Sequence, residues 1–417
     1  MRVLITTFGT RGDIQPFIAL AQGLQAAGHT TAICTADGFQ PMLAAAGITH
    51  LSMNNALLEL TQAALSEVTG LADAIRISGQ MRPAIRQAMD DEWQAARDWR
   101  PDLIVFHPKC LGSAHIAGHL QLPAVLAIPL PFYTATRSFP VPFLPVRSLS
   151  GPLNRWSYQF NRLTSLLFAR TINDFRQRTL GQRPISRFAD ALLDANGRPF
   201  PILYPYSPAV LPTPPDFPPH VHVTGYWFLA QGHDWTPPAD LAAFLAAGNP
   251  PVVVGFGSMQ GAHAAARTHA IIQALQTTGQ RGILLRGWGG LTVGDLPPTI
   301  MALDEAPHEW LLPQAAAVAH HGGAGTTAAG VRAGIPSIIC PFLGDQPFWG
   351  RVIHQRGVGP APIPQRQLTA ERFAAAIQAA VTDQGMRDRA ARLGAAVRAE
   401  DGVGQAARIF QSFAMTP

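Results

Sequence analysis

The first third of the chain alternates short apolar runs with amphipathic segments. The run Val3–Thr7 predicts a strand buried on both faces. Apolar residues recur at helical spacing from Phe17 to Leu24 and predict a helix that Gly28 closes. The same reasoning predicts strands at Thr30–Thr35, Asp102–Phe106 and Ala124–Ile128, and helices at Pro41–Ala46 and Ser113–Leu120. Repeated strand–helix–strand units predict a parallel sheet covered on both faces.

The alternation restarts after a proline-dense stretch between Pro212 and Pro251, which marks a connection between domains. Further strands are predicted at Val252–Gly255, Gly282–Leu285, Ala315–Ala319 and Ser337–Cys340, and helices at Ala262–Gln276, Gly325–Ala333 and Pro347–Gln355, followed by two amphipathic helices in the last forty residues. The pattern therefore predicts an α/β protein with two doubly wound, Rossmann-like domains that face a cleft. The predicted divisions are a first domain at 1–215, a linker at 216–250, a second domain at 251–395 and a C-terminal helix at 396–417 that packs back on the first domain.

Composition narrows the function. Hydrophobic residues make up 47% of the chain and charged residues 14%, which is typical of a globular protein. The formal net charge is +5, but no basic cluster is interleaved with aromatics, so we expect no nucleic-acid partner. A charge of this size favours diphosphates or an anionic membrane surface, and peripheral membrane contact stays open.

The cysteines and the apolar runs bear on location. Three scattered cysteines argue for a reducing compartment and against a zinc site or a disulfide framework. The N-terminal apolar run is too short for a signal peptide, and Leu122–Tyr133 is too short and too rich in proline to span a bilayer. We therefore expect a cytoplasmic protein. We also expect it to be a monomer.

The segment from His320 to Thr327 reads His-His-Gly-Gly-Ala-Gly-Thr-Thr, follows a predicted strand and opens a helix. Glycines let the backbone approach an anion, and free N–H groups at a helix start bind phosphate oxygens. A histidine adds a donor and the threonines add hydroxyls. The pattern predicts a phosphate site; a tight turn with capping threonines is the alternative.

Three other segments of the second domain are predicted to lie at the same crevice, because carboxyl ends of neighbouring parallel strands meet at one edge. Asp345 and Gln346 follow the next strand and are suited to binding sugar hydroxyls, although Asp345 is equally suited to capping the helix that begins at Pro347. Ser258 ends the first strand of this domain and is a candidate phosphate ligand. The segment from Ala306 to Trp310, or Trp288, is a candidate base pocket, with core packing as the alternative.

Asp13 follows the first strand of the first domain. It is a candidate general base, and an N-cap of the first helix is the alternative. An ordinary aspartate has a pKa of about 3.9, so proton abstraction needs close positioning or a raised pKa. His107, which ends another strand, is the alternative base.

Together these motifs resemble the UDP-sugar-dependent glycosyltransferases with the GT-B fold, in the branch of sterol glucosyltransferases and bacterial antibiotic glycosyltransferases. The resemblance covers nearly the whole chain and is carried by Thr7–Asp13, Tyr226-Trp227, Gly255–Met259, His320–Thr327, Gly330–Pro336 and Gly344–Pro347. It implies an acceptor-binding first domain and a nucleotide-sugar-binding second domain.

The resemblance also implies residue roles. Asp13 matches the catalytic base, acting directly because the loop lacks the histidine of plant members. The diphosphate ligands are Ser258, His321, Gly323, Gly325 and Thr326, and the sugar ligands are Asp345 and Gln346. Glu305 stands where plant members place a tryptophan against uracil, so Trp288 or Ala306 would meet the base. The aromatic and proline-rich stretch from Phe132 to Phe168, together with Leu51–Gln80, would select the acceptor, which makes acceptor ligands of His107, Phe132, Tyr133 and Phe139; packing alone is the alternative for these aromatics.

The expected reaction is an inverting transfer of a hexose, usually glucose from UDP-glucose, to a hydroxyl of an apolar acceptor such as a sterol, terpenoid, polyphenol or antibiotic aglycone. We expect no cofactor and no metal, since a helix N-terminus and His321 would take the metal's place. A thymidine-linked donor stays open. The alternative function is a non-catalytic nucleotide-sugar-binding homologue or auxiliary protein. An epimerase would need extra carboxylates near the anomeric carbon, and the sequence shows no obvious set of them. A nicotinamide-dependent oxidoreductase would need the dinucleotide-binding glycine fingerprint, which the sequence lacks.

Overall fold

The structure is a computed structural model. It describes residues 1–67, 71–144, 146, 148–190, 192–194, 196–229, 235–257, 264–287 and 296–414, with 62–67, 71–78, 164 and 412–414 described by their backbone alone. The chain forms two compact units. Unit 1 comprises Met1–Pro208, Thr213–Leu229 and Asp401–Pro417, and unit 2 comprises Ala209–Pro212 and Ala230–Glu400.

Unit 1 is built on a parallel sheet. Its strands in chain order are β1 (Arg2–Thr6), β2 (Thr30–Ala36), β3 (Thr49–Met53), β4 (Leu103–Phe106), β5 (Ala124–Ala127), β6 (Ile202–Tyr204) and β7 (Val221–Val223). Their spatial order is β3-β2-β1-β4-β5-β6-β7. β1 lies in the middle, with Val3 opposite Thr31 of β2 and Leu103 of β4. Its apolar residues are buried on both faces, as the uniform apolar run predicts.

Unit 2 has a second parallel sheet. Its strands are β8 (Val252–Gly255), β9 (Gly282–Leu285), β10 (Ile300–Leu303), β11 (Ala317–His320) and β12 (Ser337–Ile339), in the spatial order β10-β9-β8-β11-β12. β8 is central and separates two apolar cores, because Val252 and Val254 face one core while Val253 faces the other. This alternation is that of a strand covered by helices on both sides.

Helices connect the strands in both units. In unit 1 they are α1 (Arg11–Ala26), α2 (Gln40–Ala45), α3 (Ala56–Glu67), α4 (Leu71–Trp99), α5 (Ser113–Leu120), α6 (Gly151–Ser157), α7 (Phe160–Arg178) and, at the C-terminus, α15 (Gly402–Ala414). In unit 2 they are α8 (Ala239–Ala246), α9 (Ala264–Thr278), α10 (His308–Leu311), α11 (Ala324–Ala333), α12 (Gln346–Gln355), α13 (Ala370–Thr382) and α14 (Gln384–Arg398). Within the described residues, none of these helices is both long and apolar enough to cross a membrane.

The predicted central strands are present, whereas β3, β6, β7 and β10 were not predicted. Three of these strands, β3, β7 and β10, each carry one buried residue among partly buried or exposed ones, so their sequence lacks a continuous apolar run. The predicted linker, 216–250, is not a bare connector, because it contains β7 of the first sheet and α8 of unit 2. The C-terminal helix begins at Gly402, later than predicted, and packs against α1 within unit 1.

Candidate functional site

Asp13 lies at the carboxyl end of β1, in the first turn of α1. The N-cap of this helix is Thr10 and Asp13 is its third residue, so Asp13 is not the N-cap itself, but its carboxylate completes a capping box by accepting the backbone N–H of Thr10. Gly9 has a φ of +140°, and a Cβ there would lie 2.1 Å from Asp13 Oδ2 and 2.8 Å from Lys109 Nζ. A glycine is therefore required for the loop to close over the carboxylate.

Three donors reach the Asp13 carboxylate from the described residues. The backbone N–H of Thr10 donates to Oδ2 at 2.8 Å and its hydroxyl donates to the same oxygen at 3.2 Å. Lys109 Nζ donates to Oδ1 at 2.8 Å. A carboxylate has about four acceptor sites, so the arrangement leaves room on Oδ1 for one further donor. The side chain is 19% exposed, so the carboxylate is not sealed from its surroundings.

The electrostatics of this group favour the ionised form. Burial acts to raise the pKa of Asp13, but Lys109, His107 and the hydrogen bonds from Lys109 and Thr10 outweigh it and lower that pKa. Asp13 is therefore a carboxylate at neutral pH. Since its pKa is lowered and not raised, proton abstraction would depend on close positioning, the first of the two conditions set by the sequence.

His107 is brought to the same place at the end of β4. Its Nδ1 accepts the backbone N–H of Lys109 at 3.2 Å, which puts the ring proton on Nε2, 3.9 Å from Asp13 Oδ1. Burial first, then Lys109, lowers the pKa of His107 to about 3. With Nδ1 occupied and Nε2 protonated, the ring has no free lone pair, so the geometry does not support His107 as the alternative base.

Lys109 is the residue that sequence reasoning missed. It is the only lysine among 31 basic residues, and it pairs with Asp13 across 96 positions of sequence because β1 and β4 are neighbours. A single lysine in a chain otherwise supplied with arginine is a signal that could have been noticed. The pairing of Lys109 with Asp13 could not have been predicted from that signal.

A second missed group is a buried carboxyl on α4. Glu92 is 1% exposed, and Ser113 Oγ donates to its Oε2 at 2.6 Å. Thr6 and Ser113 share a hydroxyl hydrogen bond at 2.7 Å, which links Glu92 to the end of β1. Burial raises the pKa of Glu92 to about 7 despite the hydrogen bonds from Ser113 and Gly112. An acidic residue on the apolar face of α4, beside the buried Met89 and Ala96, was the available signal.

The predicted acceptor aromatics follow β5, the neighbour of β4. Phe132 is buried and packs edge-to-face with Tyr133 at 4.9 Å and against Phe143 at 4.8 Å between ring centroids. Burial raises the pKa of Tyr133 to about 12, so its phenol is neutral. Phe139 is half-buried in the same loop. Parallel strands place this loop at the sheet edge that carries Asp13 and His107.

In unit 2, the predicted donor segments follow β8, β11 and β12, three adjacent strands. Gly322 has a φ of +93°, and a Cβ there would lie 3.1 Å from the carbonyl oxygen of Gln346. The loop after β11 therefore packs directly on the start of α12. A Cβ on Gly257 would lie 3.5 Å from His321 Cε1, so the end of β8 belongs to the same cluster.

The two histidines of this loop are neutral. Burial, with a smaller effect of His308, lowers the pKa of His321 to about 4, and burial holds that of His320 well below its usual range. The Nδ1 of His320 accepts the backbone N–H of Gly322 at 3.1 Å. His320 Nε2 and His321 Nδ1 are buried and find no hydrogen-bond partner among the described residues. His321 therefore offers a neutral imidazole, and a protonated His321 is not supported.

The start of α11 is arranged as a phosphate site requires. Gly323 is the N-cap, so the N–H groups of the first turn lack partners within the helix. Thr327 donates its hydroxyl to the Gly323 carbonyl at 2.9 Å and serves the helix itself. Thr326 is half-buried and Gly325 is exposed. Of the two threonines, Thr326 is the one left beside the open turn.

Asp345 and Gln346 begin α12. Gln346 Oε1 accepts the backbone N–H groups of Phe342 at 2.7 Å and Leu343 at 3.1 Å, which fixes the side chain against its own loop. Asp345 is the N-cap residue, but within this fully described helix its side chain makes no capping hydrogen bond. Its Oδ2 accepts instead from the indole N–H of Trp349 at 3.1 Å. The capping alternative for this carboxylate is therefore wrong.

The base-pocket candidates are less well placed. Ser258 and Trp288 lie outside the described residues. Ala306 is half-buried between β10 and α10 and packs against an apolar core of unit 2. Trp310 packs against the same core and meets Trp235 edge-to-face at 4.9 Å, so it acts as a core residue.

The sequence of the chain is similar to known protein families. Residues 3–135 match the glycosyltransferase family 28 N-terminal domain, and residues 287–405 match the C-terminal domain of erythromycin biosynthesis protein CIII-like proteins. The chain is 34% identical over 98% of its length to sterol 3-beta-glucosyltransferase UGT80A2 of Arabidopsis thaliana, and spans 65% of that protein. It is 35% identical over 98% of its length to UGT80B1 of the same plant, spanning 68% of it.

The solved structures confirm the predicted fold. The glycosyltransferase of kitacinnamycin matches with a TM-score of 0.73 at 17% identity, over 99% of this chain and 98% of that one. At this identity the likeness speaks for the fold alone, and the fold is GT-B. The sequence identity of 35% to UGT80B1, over 68% of that protein, shows family membership as well as fold. The chain belongs to the family of GT-B glycosyltransferases that contains the sterol 3-beta-glucosyltransferases.

Proposed function

We propose that the protein transfers a glucosyl group from UDP-glucose to a hydroxyl of a sterol or a similarly planar, apolar acceptor, with inversion and without a metal. The observation that carries this proposal is the ionised Asp13 carboxylate at the end of the central strand of unit 1, with one acceptor position open on Oδ1. The names of the plant relatives support the sterol and the glucose.

The acceptor side of the reaction is proposed to run through Asp13. The acceptor hydroxyl donates its hydrogen bond to the open position on Oδ1, between Lys109 Nζ and His107 Nε2–H. As the acceptor oxygen attacks the anomeric carbon, its proton passes to the carboxylate. Lys109 and Thr10 hold the carboxylate in place, so positioning compensates for its lowered pKa.

The donor side is proposed to run through the loop after β11. The bond between the anomeric carbon and the diphosphate oxygen breaks, and its electron pair stays on UDP. The first-turn N–H groups of α11 and a neutral His321 stabilise that charge, the role a metal plays elsewhere. Asp345 and Gln346 are proposed to bind the sugar hydroxyls. A single displacement turns an α-linked donor into a β-glycoside.

One observation favours the alternative of a non-catalytic nucleotide-sugar-binding protein. Both oxygens of Asp13 already accept hydrogen bonds, and its pKa is lowered, which makes it a weak base. A mass-spectrometric screen separates the two functions. The purified chain is incubated in EDTA with UDP-glucose or thymidine-diphosphate glucose and a panel of sterols, triterpenoids and flavonoids.

The proposal expects a mass gain of one hexose on a sterol from UDP-glucose, retained in EDTA. Transfer only from the thymidine-linked sugar would correct the donor. Binding of nucleotide sugar by calorimetry, without transfer to any acceptor, would establish the auxiliary role instead.

A further inference from the structure

Two consecutive helices of unit 1 expose large apolar side chains. On α6 these are Leu153 and Trp156, and on α7 they are Leu163 and Leu167. Trp156 is 70% exposed and Leu163 is 63% exposed. Single exposed apolar residues are ordinary on a protein surface, but four within fifteen positions, one of them a tryptophan, point to a binding surface.

The four side chains share one side of the helical segment. Leu153 and Trp156 are spaced by three residues and Leu163 and Leu167 by four, so each pair lies on one helix face. The turn between the helices keeps the helical path, since Gln159 N–H donates to the Trp156 carbonyl at 3.0 Å and Asn161 N–H to that of Tyr158 at 3.1 Å. Trp156 and Leu163 are seven residues apart, which is two turns. We call these four residues the apolar stripe.

The opposite side of α6 is fixed to the body of unit 1. Asn154, Ser157 and Tyr158 are buried. Ser157 Oγ accepts the backbone N–H of Val141 at 2.8 Å, and Asn154 Nδ2 donates to the Arg137 carbonyl at 2.9 Å. The segment is therefore held by polar contacts on its inner side, and the apolar stripe is not a product of a loosely attached helix.

The sequence around the apolar stripe is basic. The chain from Arg137 to Phe188 contains nine arginines and one acidic residue. Among the described residues, Arg155 and Arg162, next to the apolar stripe, form long ion pairs with Asp216 at 3.8 Å and Asp190 at 3.6 Å. Such exposed, long pairs are weak in water, so both guanidinium groups remain able to bind an anion.

We propose that this face docks the protein on the surface of an anionic phospholipid bilayer. Trp156, Leu163 and their neighbours would enter the boundary between headgroups and acyl chains, where tryptophan is favoured. Arg155 and Arg162 would meet lipid phosphates, to which guanidinium binds well. An apolar stripe bordered by arginines fits this surface better than a folded protein partner, whose interface would have to neutralise the arginines while covering the apolar stripe.

Docking at a bilayer is independent of the proposed transfer reaction, because vesicle binding is measured without donor or acceptor. The test is co-sedimentation of the full chain with phosphatidylcholine vesicles and with vesicles of equal parts phosphatidylcholine and phosphatidylglycerol. Binding is expected to the anionic vesicles only, and to weaken as salt is added. Binding to neither, or equal binding to both, overturns the proposal.

Paired variants separate the apolar and the charged contributions. Trp156→Ser/Leu163→Ser should weaken binding by about tenfold or more, the worth of two apolar side chains leaving the interface. Arg155→Gln/Arg162→Gln should weaken it by about fivefold for each arginine removed. The controls are Leu60→Ser, another exposed leucine, and Arg366→Gln/Arg392→Gln, two exposed arginines of unit 2. Equal loss in the controls overturns the assignment of the surface.

A homodimer through the apolar stripe is the competing occupant. Mass photometry of the wild type and of Trp156→Ser/Leu163→Ser decides this. A wild-type dimer that the variant dissociates, with no vesicle binding by either, overturns the proposal in favour of a contact between copies. Because the substituted side chains are exposed, the variants should keep the wild-type melting temperature.

Discussion

The two candidate sites lie at the ends of strands in similar parallel sheets, but one is built around a charged side chain and the other around neutral side chains. In unit 1, Asp13 is a charged carboxylate whose oxygens already accept hydrogen bonds from Lys109 and Thr10. In unit 2, His320 and His321 are neutral, and each has one buried ring nitrogen, His320 Nε2 and His321 Nδ1, that lacks a partner among the described residues. The first site is a balanced ion pair that a neutral hydroxyl can join, whereas the second is a set of backbone and imidazole donors suited to an incoming anion.

This difference predicts how each site responds to change. Substitutions in unit 1 alter charge, and their effects should depend on pH. Substitutions in unit 2 remove a neutral donor, so their effects should be nearly independent of pH between 5 and 8, well above the pKa of about 4 for His321.

The largest effect is expected for Asp13→Asn. The amide cannot accept the acceptor proton, so kcat should fall by about a thousandfold or more, in the range of lost general-base catalysis. Steady-state kinetics with UDP-glucose and the sterol found in the screen measure it. Asp98→Asn, an exposed aspartate of α4, is the control and should be unchanged. Full activity in Asp13→Asn would remove the base assignment while leaving the family intact.

His321→Ala should cost about a hundredfold in kcat/KM for the donor, the usual effect of removing one donor to a developing negative charge. The loss should be the same at pH 5.5 and pH 8, because the wild-type ring is neutral at both values. His269→Ala, on the exposed side of α9, is the matched control. A loss that disappears at one of these pH values would show that His321 titrates and that the two sites are less different than proposed.

Glu92→Gln tests the buried charge of unit 1 through stability. The pKa of Glu92 rises on folding from 4.5 to about 7, so the folded state holds the proton more tightly. The stability from this group is complete below pH 4.5 and is lost as the pH rises through 7. Glutamine does not ionise, so the variant does not lose stability in this pH range. At pH 8 its free energy of unfolding should therefore exceed that of the wild type by up to about 3 kcal/mol. Urea melts at pH 5 and pH 8 measure this, and equal differences at both would contradict the buried charge.

The smallest effect is expected for Lys109→Met. Without the ammonium group, the effect of burial raises the pKa of Asp13. As the pH falls, the carboxylate is therefore protonated, and inactive as a base, at a higher pH than in the wild type. The acidic limb of the profile of kcat/KM against pH should therefore move to higher pH, with a change of no more than about tenfold at pH 7.5. Lys109→Arg should restore the wild-type limb. A limb that does not move would assign Lys109 a structural role only.

The sequence predicted what lies within one strand and its following loop. Val3–Thr7 and Val252–Gly255 are almost uniformly apolar, and each matches the central strand of its sheet. Asp13 and His321 were predicted to lie just after such strands, and the structure places both residues there. β3 and β7 are edge strands with partly buried residues, so their pattern resembles that of a loop.

The charge environment could not be predicted in the same way. Lys109 and Glu92 reach the site only through the pairing of β1 with β4 and the packing of α4, which bring distant segments together. The direction of each pKa shift follows from that packing and not from the residue types. Ser258 and Trp288 stay predictions, since they lie outside the described part of the chain.

The configuration of the product tests the central claim most directly. Proton NMR of the anomeric hydrogen, in glucoside formed from UDP-glucose in EDTA, reports transfer, metal dependence and stereochemistry in one spectrum. Direct displacement, with Asp13 as the proposed base and His321 as a proposed diphosphate ligand, predicts the large coupling of a β-glucoside. The small coupling of an α-glucoside, or a product that forms only when a divalent metal is restored, would contradict it.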